Sequence, residues 1–216
     1  MTDRDFRVRL EARAHRADVA VDSKLVDQLA AYYQLLRHWN QRINLTALAL
    51  EPLSDDALDR LFVEPLSATR HLSELPSESW FDLGSGGGSP AIPLLLARPE
   101  MRLTMVEARE RKGAFLREAV RALNLEARVE IDRFQDVAER RASAAGLVTA
   151  RAVKMDSNLS TAAGELLMSD GLLAIFASVR PEIGADFRGS GSWPLFSGGT
   201  AQLFAFRRVP RGTNGR

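Results

Sequence analysis

The stretch FDLGSGGGSPAIPLL, residues 81–95, restricts the folds open to this chain more than any other. An apolar strand runs straight into Gly84, Gly86, Gly87 and Gly88, and an apolar helix opens soon after Pro90. Glycine lets the backbone turn sharply and lets a ligand approach with no side chain between. A tight turn alone explains one glycine. Three alternating ones directly behind a strand point to a nucleotide-type ligand. The rest of the chain keeps the same rhythm. RLTMVEA, RVEIDR, LVTARAV, GLLAIFA and GTAQLFAFRRV read as strands, with helices in RERKGAFLREAVRALNL, FQDVAERRASA and SNLSTAAGELLM between them. Strands alternating with helices predict an α/β fold whose mostly parallel sheet is covered on both faces. Only a Gly/Ser-rich stretch separates the last two strands, so an antiparallel edge is expected. In such a sheet ligands lie outside the carboxyl ends of the strands, which gives the glycine loop the leading position.

The spacing narrows the ligand. The dinucleotide pattern G-x-G-x-x-G, read from Gly84, needs glycine where Ser89 stands; read from Gly86, it is met only with Ala91 in the last place. No Gly-Lys-Ser/Thr follows, which excludes a Walker A loop. The frame that fits without a shift is acid-x-Gly-x-Gly-x-Gly from Asp82. It resembles the first motif of the S-adenosylmethionine-dependent methyltransferases with a Rossmann-like fold, whose loop packs against the amino-acid end of the cofactor. The second strand ends at Glu107, 23 residues beyond Gly84. A carboxylate there can accept both hydrogens of a ribose diol. Asp136, after the third strand, suits either the adenine amino group or a helix cap.

Ahead of the sheet the pattern is helical. Residues 1–21 are charged and weakly periodic. Beyond a cap at Asp22 or Ser23, Leu25, Leu29, Tyr32, Tyr33, Leu36, Trp39 and Ile43 recur at three and four, and residues 51–73 repeat the pattern with Leu58, Leu61, Phe62 and Leu66. ELPSES reads as a turn. The organisation is a helical extension over residues 1–75 and a Rossmann-like domain over 76–216, in one compact unit. At the end of the long helix, polar Asn40, Asn44 and Thr46 interleave with Trp39, Ile43 and Leu45. Unpaired buried polar groups are costly, so WNQRINLT is expected to pack its apolar side on the sheet and wall the cleft.

Composition removes several classes. With no cysteine there are no disulfides, zinc-thiolate sites or cysteine nucleophiles. No apolar run approaches the roughly 20 residues of a membrane span. The expectation is a cytoplasmic monomer with no metal and no membrane. A net charge of +1 names no partner. Arg4, Arg7, Arg9, Arg13 and Arg16 can sit on phosphates or simply solvate the terminus; both readings are open.

The segments YYQLLRHWNQRINLTAL, FDLGSGGGSPAIPLLLARPEMRLTMVEARERKGAFLREAVRALNL and VTARAV together resemble the RsmG (GidB) family, over most of residues 25–175. The resemblance implies methylation of guanine N7 in 16S ribosomal RNA by S-adenosylmethionine, with ribosomal RNA or the small ribosomal particle as partner. It implies a class I methyltransferase sheet with an N-terminal helical extension. Carried over by motif, Asp82, Gly84, Ser85, Gly86 and Gly88 line the cofactor, Glu107 takes the ribose, and Gln135 and Asp136 lie toward the adenine. Lys112 holds a basic position early in the next helix, and Arg151 closes the fourth strand. Asn40, Asn44, Thr46, Arg60 and Arg133 fall on the substrate side, with Arg60 and Arg151 as positioning candidates. The chain also departs from the family. Where His and then Asp-Ser usually follow the arginine at 60, it has Leu61, Val63, Glu64 and Pro65; Ala177-Ser178 replaces a Lys-Gly. These departures motivate a second reading, a weak or inactive paralogue serving as an RNA-binding or assembly factor. A third, an NAD-dependent oxidoreductase, is disfavoured by Ser89.

The implied chemistry asks little of the side chains. Guanine N7 carries an unprotonated lone pair at neutral pH, so no general base is needed and catalysis reduces to positioning and desolvation. His15, His38 and His71 all lie in the helical portion and read as surface or interface residues. Arg133 and Arg151 can hold phosphates or a cofactor carboxylate.

Overall fold

The register of the central strands decides where the site can be. A computed structural model describes residues 2–72, 79–153, 157–196 and 199–209. Its strands are β1 (Trp80–Leu83), β2 (Leu103–Val106), β3 (Ala127–Glu130), β4 (Ala145–Arg151), β5 (Leu167–Ala177), β6 (Phe187–Pro194) and β7 (Gln202–Arg208). They form one sheet in the order β3-β2-β1-β4-β5-β7-β6. The pairs from β3 through β5 are parallel, and β7 runs antiparallel to both β5 and β6. The strand order reverses between β1 and β4, the switch point where open α/β sheets bind ligands. Leu83 is level with Val106 on one side and Ala150 on the other. The next residue of each strand, Gly84, Glu107 and Arg151, therefore arrives at the same carboxyl edge.

Alternation along the strands divides the apolar residues between two cores. Trp80, Leu103, Met105, Leu147, Leu172, Ala174 and Leu203 face one cluster; Phe81, Leu83, Val106, Val148, Leu173, Ile175 and Phe204 face the other. The second cluster is covered by α7 (Phe134–Arg140) and α8 (Ser157–Leu166). The first is covered by α5 (Ala91–Ala97), α6 (Glu110–Ala122) and the whole N-terminal layer. That layer holds α1 (Asp3–Arg16), α2 (Ser23–Asn40), α3 (Asp55–Leu58) and α4 (Glu64–Ala68). The helices before residue 73 thus share a core with the sheet; the expected boundary at 75 and most of ELPSES lie outside the described residues.

Three features differ from expectation. The Gly/Ser-rich stretch after β5 contains β6. Such residues make poor strands, but as an edge strand β6 is held by β7 alone, with a bulge between Gly189 and Gly191. The helix expected over 51–73 is broken: a π-helical turn, Asp59–Val63, joins α3 to α4, and a 3-10 turn follows at Thr69–His71. The N-terminal arginines are largely spent inside the protein. Arg9 and Arg13 pair with Asp55, Arg13 also with Asp59, and Arg7 with Asp27. They pin α1, whose Phe6 stacks on Tyr33 with centroids 4.7 Å apart, so the phosphate-binding reading is withdrawn for these three.

Candidate functional site

The loop after β1 needs its glycines for two different reasons. Gly84, Gly86 and Gly88 have φ of +73°, +53° and +86°, a region costly for other residues. A Cβ on Gly84 would lie 2.6 Å from Val153 Cγ2, and one on Gly88 would lie 2.5 Å from Ile92 Cδ1. On Gly86 the nearest atom would be 3.7 Å away, because this residue faces the cleft. Gly88→Ala is therefore expected to destabilise the fold by about 2–4 kcal/mol, left-handed backbone strain plus overpacking. Urea unfolding with a midpoint equal to wild type would contradict this.

The loop is held from below and from the side. The buried Tyr32 hydroxyl donates to the Gly87 carbonyl at 2.5 Å, and Ser89 Oγ donates to the Leu61 carbonyl at 2.9 Å. Buried Glu107 accepts the Gly86 N–H at Oε2 and the Arg109 N–H at Oε1, both at 2.9 Å. Each carboxylate oxygen can accept a further hydrogen bond. Beside them opens a cleft of about 580 Å³, lined by Ser85, Gly86, Glu107, Arg109, Lys112 and Arg151 among others, and by Leu36, Leu45 and Thr46 from the N-terminal layer. The WNQRINLT segment thus forms one wall. A naked loop, a buried diol acceptor and cations on the rim fit the ribose and the charged amino-acid end of S-adenosylmethionine.

Asp82 serves the loop from beneath and does not line this cleft. Thr149 Oγ1 donates to its Oδ1 at 2.6 Å, and Trp80 Nε1 donates to Thr149 Oγ1 at 2.8 Å. Burial pushes the Asp82 carboxyl up to about 6 from 3.8, against the hydroxyls of Thr149 and Ser85, with the Glu107 charge adding to the rise. The folded protein therefore holds this proton more tightly than the unfolded chain. The contribution is fully present below pH 3.8 and is lost as pH rises through about 6. Relative to Asp82→Asn, wild-type stability should fall by about 2 kcal/mol between pH 4 and 7. A difference that stays flat in urea titrations across that range would refute the assignment.

Other expected residues are distributed differently. Asn40 spends its side chain closing the end of α2: Oδ1 accepts the Leu45 and Thr46 N–H groups at 2.9 and 3.0 Å. Thr46 lines the cleft, while Asn44 is exposed outside it. Arg133, Gln135 and Asp136 lie at the start of α7, beyond β3, and none lines the cleft. The edge strand β3 carries them past the cleft formed around β1, β2 and β4. Arg60 lies in the π-helical turn, half exposed, and lines the cleft with Arg151.

Arg151 is already engaged. Its guanidinium donates to the Glu64 carboxylate and to the Arg60 carbonyl, and lies 5.1 Å from the centroid of the Phe176 ring. The pair is buried, with 10% and 6% of the two side chains exposed. Burial and then the nearby Arg60 charge lower the guanidinium's hold on its proton; the Glu64 carboxylate in contact keeps it charged. On the far side of Arg151 lies a second cavity, of about 480 Å³, that shares Arg60, Arg151, Ala152 and Val153 with the first. Sequence reasoning missed Glu64, Phe176, Arg109 and the hydroxyl of Tyr32. Glu64 was counted as a departure; the only signal was that it is a carboxylate near the usual Asp. Among the described residues no group of His, Asp and Glu could hold a metal, and no helix is long and apolar enough to cross a membrane.

The sequence model of the GidB family, "rRNA small subunit methyltransferase G", matches residues 25–183. Ribosomal RNA small subunit methyltransferase G of Neisseria meningitidis is 33% identical over 181 residues, 83% of each chain. The protein of that name from Paracoccus denitrificans is 42% identical over 106 residues, 48% of this chain and 51% of that one. Among solved structures, mitomycin 7-O-methyltransferase shares the fold with a TM-score of 0.59 at 16% identity, covering 82% of this chain and 60% of its own.

Proposed function

The chain belongs to the GidB family, rRNA small subunit methyltransferase G, and from that premise we propose that it transfers a methyl group from S-adenosylmethionine to N7 of a guanine in 16S ribosomal RNA. The observation that carries the reading is the joint arrival of the glycine loop and Glu107 at one sheet edge, inside the segment that matches the family. When bound, S-adenosylmethionine supplies an electrophilic methyl that the N7 lone pair takes while the carbon–sulfur pair stays with sulfur; the positive charge passes to the purine and no proton is released.

The protein's part is placement. Glu107, fixed by two backbone N–H groups, holds the ribose diol. Lys112, Arg109 and Arg60 on the cleft wall suit the carboxylate of the amino-acid end. Leu36, Leu45 and Val153 exclude water around the reacting atoms. Glu64, counted among the departures, supplies a buried carboxylate that keeps Arg151 in place, which favours the active reading over the inactive one. Incubation with unmodified small-subunit particles or their naked RNA, followed by mass mapping, should find one 7-methylguanosine. Cofactor binding without any methylated nucleotide on either substrate would leave the protein as a binding factor.

A further inference from the structure

The second cavity shares Arg60, Arg151, Ala152 and Val153 with the cofactor cleft. It is large enough for a nucleobase, and Phe176 lines it with the Arg151 guanidinium over its ring. Glu64 lines this cavity and not the cofactor cleft. Its Oε2 accepts from Arg151, whereas Oε1 has no hydrogen-bond partner among the described residues and is not sealed from the cavity. A buried carboxylate with an unspent oxygen is expensive unless a donor reaches it.

Resting on the methyltransferase reading, we propose that this cavity receives the acceptor guanine and that Glu64 is the residue that selects it. Guanine carries N1–H and the 2-amino group on the ring edge remote from N7. With N7 turned toward the cofactor cleft, that edge stays within the cavity, which Glu64 lines while not lining the cleft. A carboxylate can accept from both donors. Adenine presents a lone pair at N1 and is repelled by the same oxygen. As N7 becomes cationic, N1–H becomes a stronger donor, so the contact tightens in the transition state and acts on kcat as well as on KM. Arg151 then has a second role, holding Glu64 in the orientation that leaves Oε1 free.

The test uses the target guanosine located by mass mapping. RNA carrying guanosine or inosine at that one position is compared; inosine keeps N1–H and lacks the 2-amino group. Wild type should favour guanosine at least about tenfold in kcat/KM, and also in binding measured with S-adenosylhomocysteine, where no transfer occurs. Glu64→Gln should bring both ratios within about twofold of one. Damage from freeing Arg151 affects both RNAs alike and cancels in the ratio. Should that variant not fold, Glu64→Asp keeps a charge for Arg151 and should reduce the ratio several-fold. Equal use of the two RNAs by wild type, or an unchanged ratio in the variant, overturns the role of Glu64 and leaves the methyltransferase reading standing. Mass mapping that finds no methylated guanosine at all removes both.

Discussion

Glu107→Ala is expected to weaken S-adenosylmethionine and S-adenosylhomocysteine binding at least about a hundredfold. Two hydrogen bonds from a ribose diol to a charged acceptor are worth roughly 1.5–3 kcal/mol each. The same change strips the Gly86 and Arg109 N–H groups of their acceptor, so the loop loses its orientation together with the ligand's anchor. Glu107→Asp keeps the charge on a shorter arm and should fall between the two. Calorimetry on folded protein decides the matter. An alanine variant that binds within about threefold of wild type would move the ribose elsewhere.

Arg151→Met is expected to cost about 3–5 kcal/mol of folding stability, because it leaves the Glu64 carboxylate buried without its partner. Adding Glu64→Leu to that variant should restore most of the loss, since apolar pairs of similar size replace buried ion pairs well. Arg151→Lys keeps the charge but cannot donate to Glu64 and to the Arg60 carbonyl in one plane while lying on Phe176. It should cost about 1.5–3 kcal/mol. Urea unfolding of wild type, Arg151→Met, Glu64→Leu and the double variant forms a cycle. Additive single and double effects would show that the two side chains do not act as a pair.

The sequence revealed most where a local pattern has one physical cause. Glycines at positive φ behind an apolar strand, and an acid one strand later, specified the loop and Glu107. Short apolar runs between helical segments specified six strands. β6 escaped because pairing with β7, a tertiary fact, overrides the low strand propensity of FRGSGSWP. The resemblance places Asn40 on the substrate side and Asp82 at the cofactor; within the protein Asn40 accepts from the Leu45 and Thr46 N–H groups and Asp82 from Thr149. Polar residues in apolar company can equally serve the backbone or a neighbouring hydroxyl, and only coordinates separate the cases. Glu64 escaped for a related reason. Its partner lies 87 residues away, and no local pattern connects a helix residue to the end of β4.

The π-helical turn at Asp59–Val63 sets a condition on how this lineage can change. Its closing bond runs from the Glu64 N–H to the Asp59 carbonyl, so the segment holds one residue more than an α-helical path would need. Arg60 and Glu64 both address Arg151 from this turn. Losing the extra residue would restore a regular helix and change the spacing at which Arg60 and Glu64 meet Arg151. A substitution at Leu61 leaves that spacing intact, whereas a single-residue deletion within Asp59–Val63 breaks it.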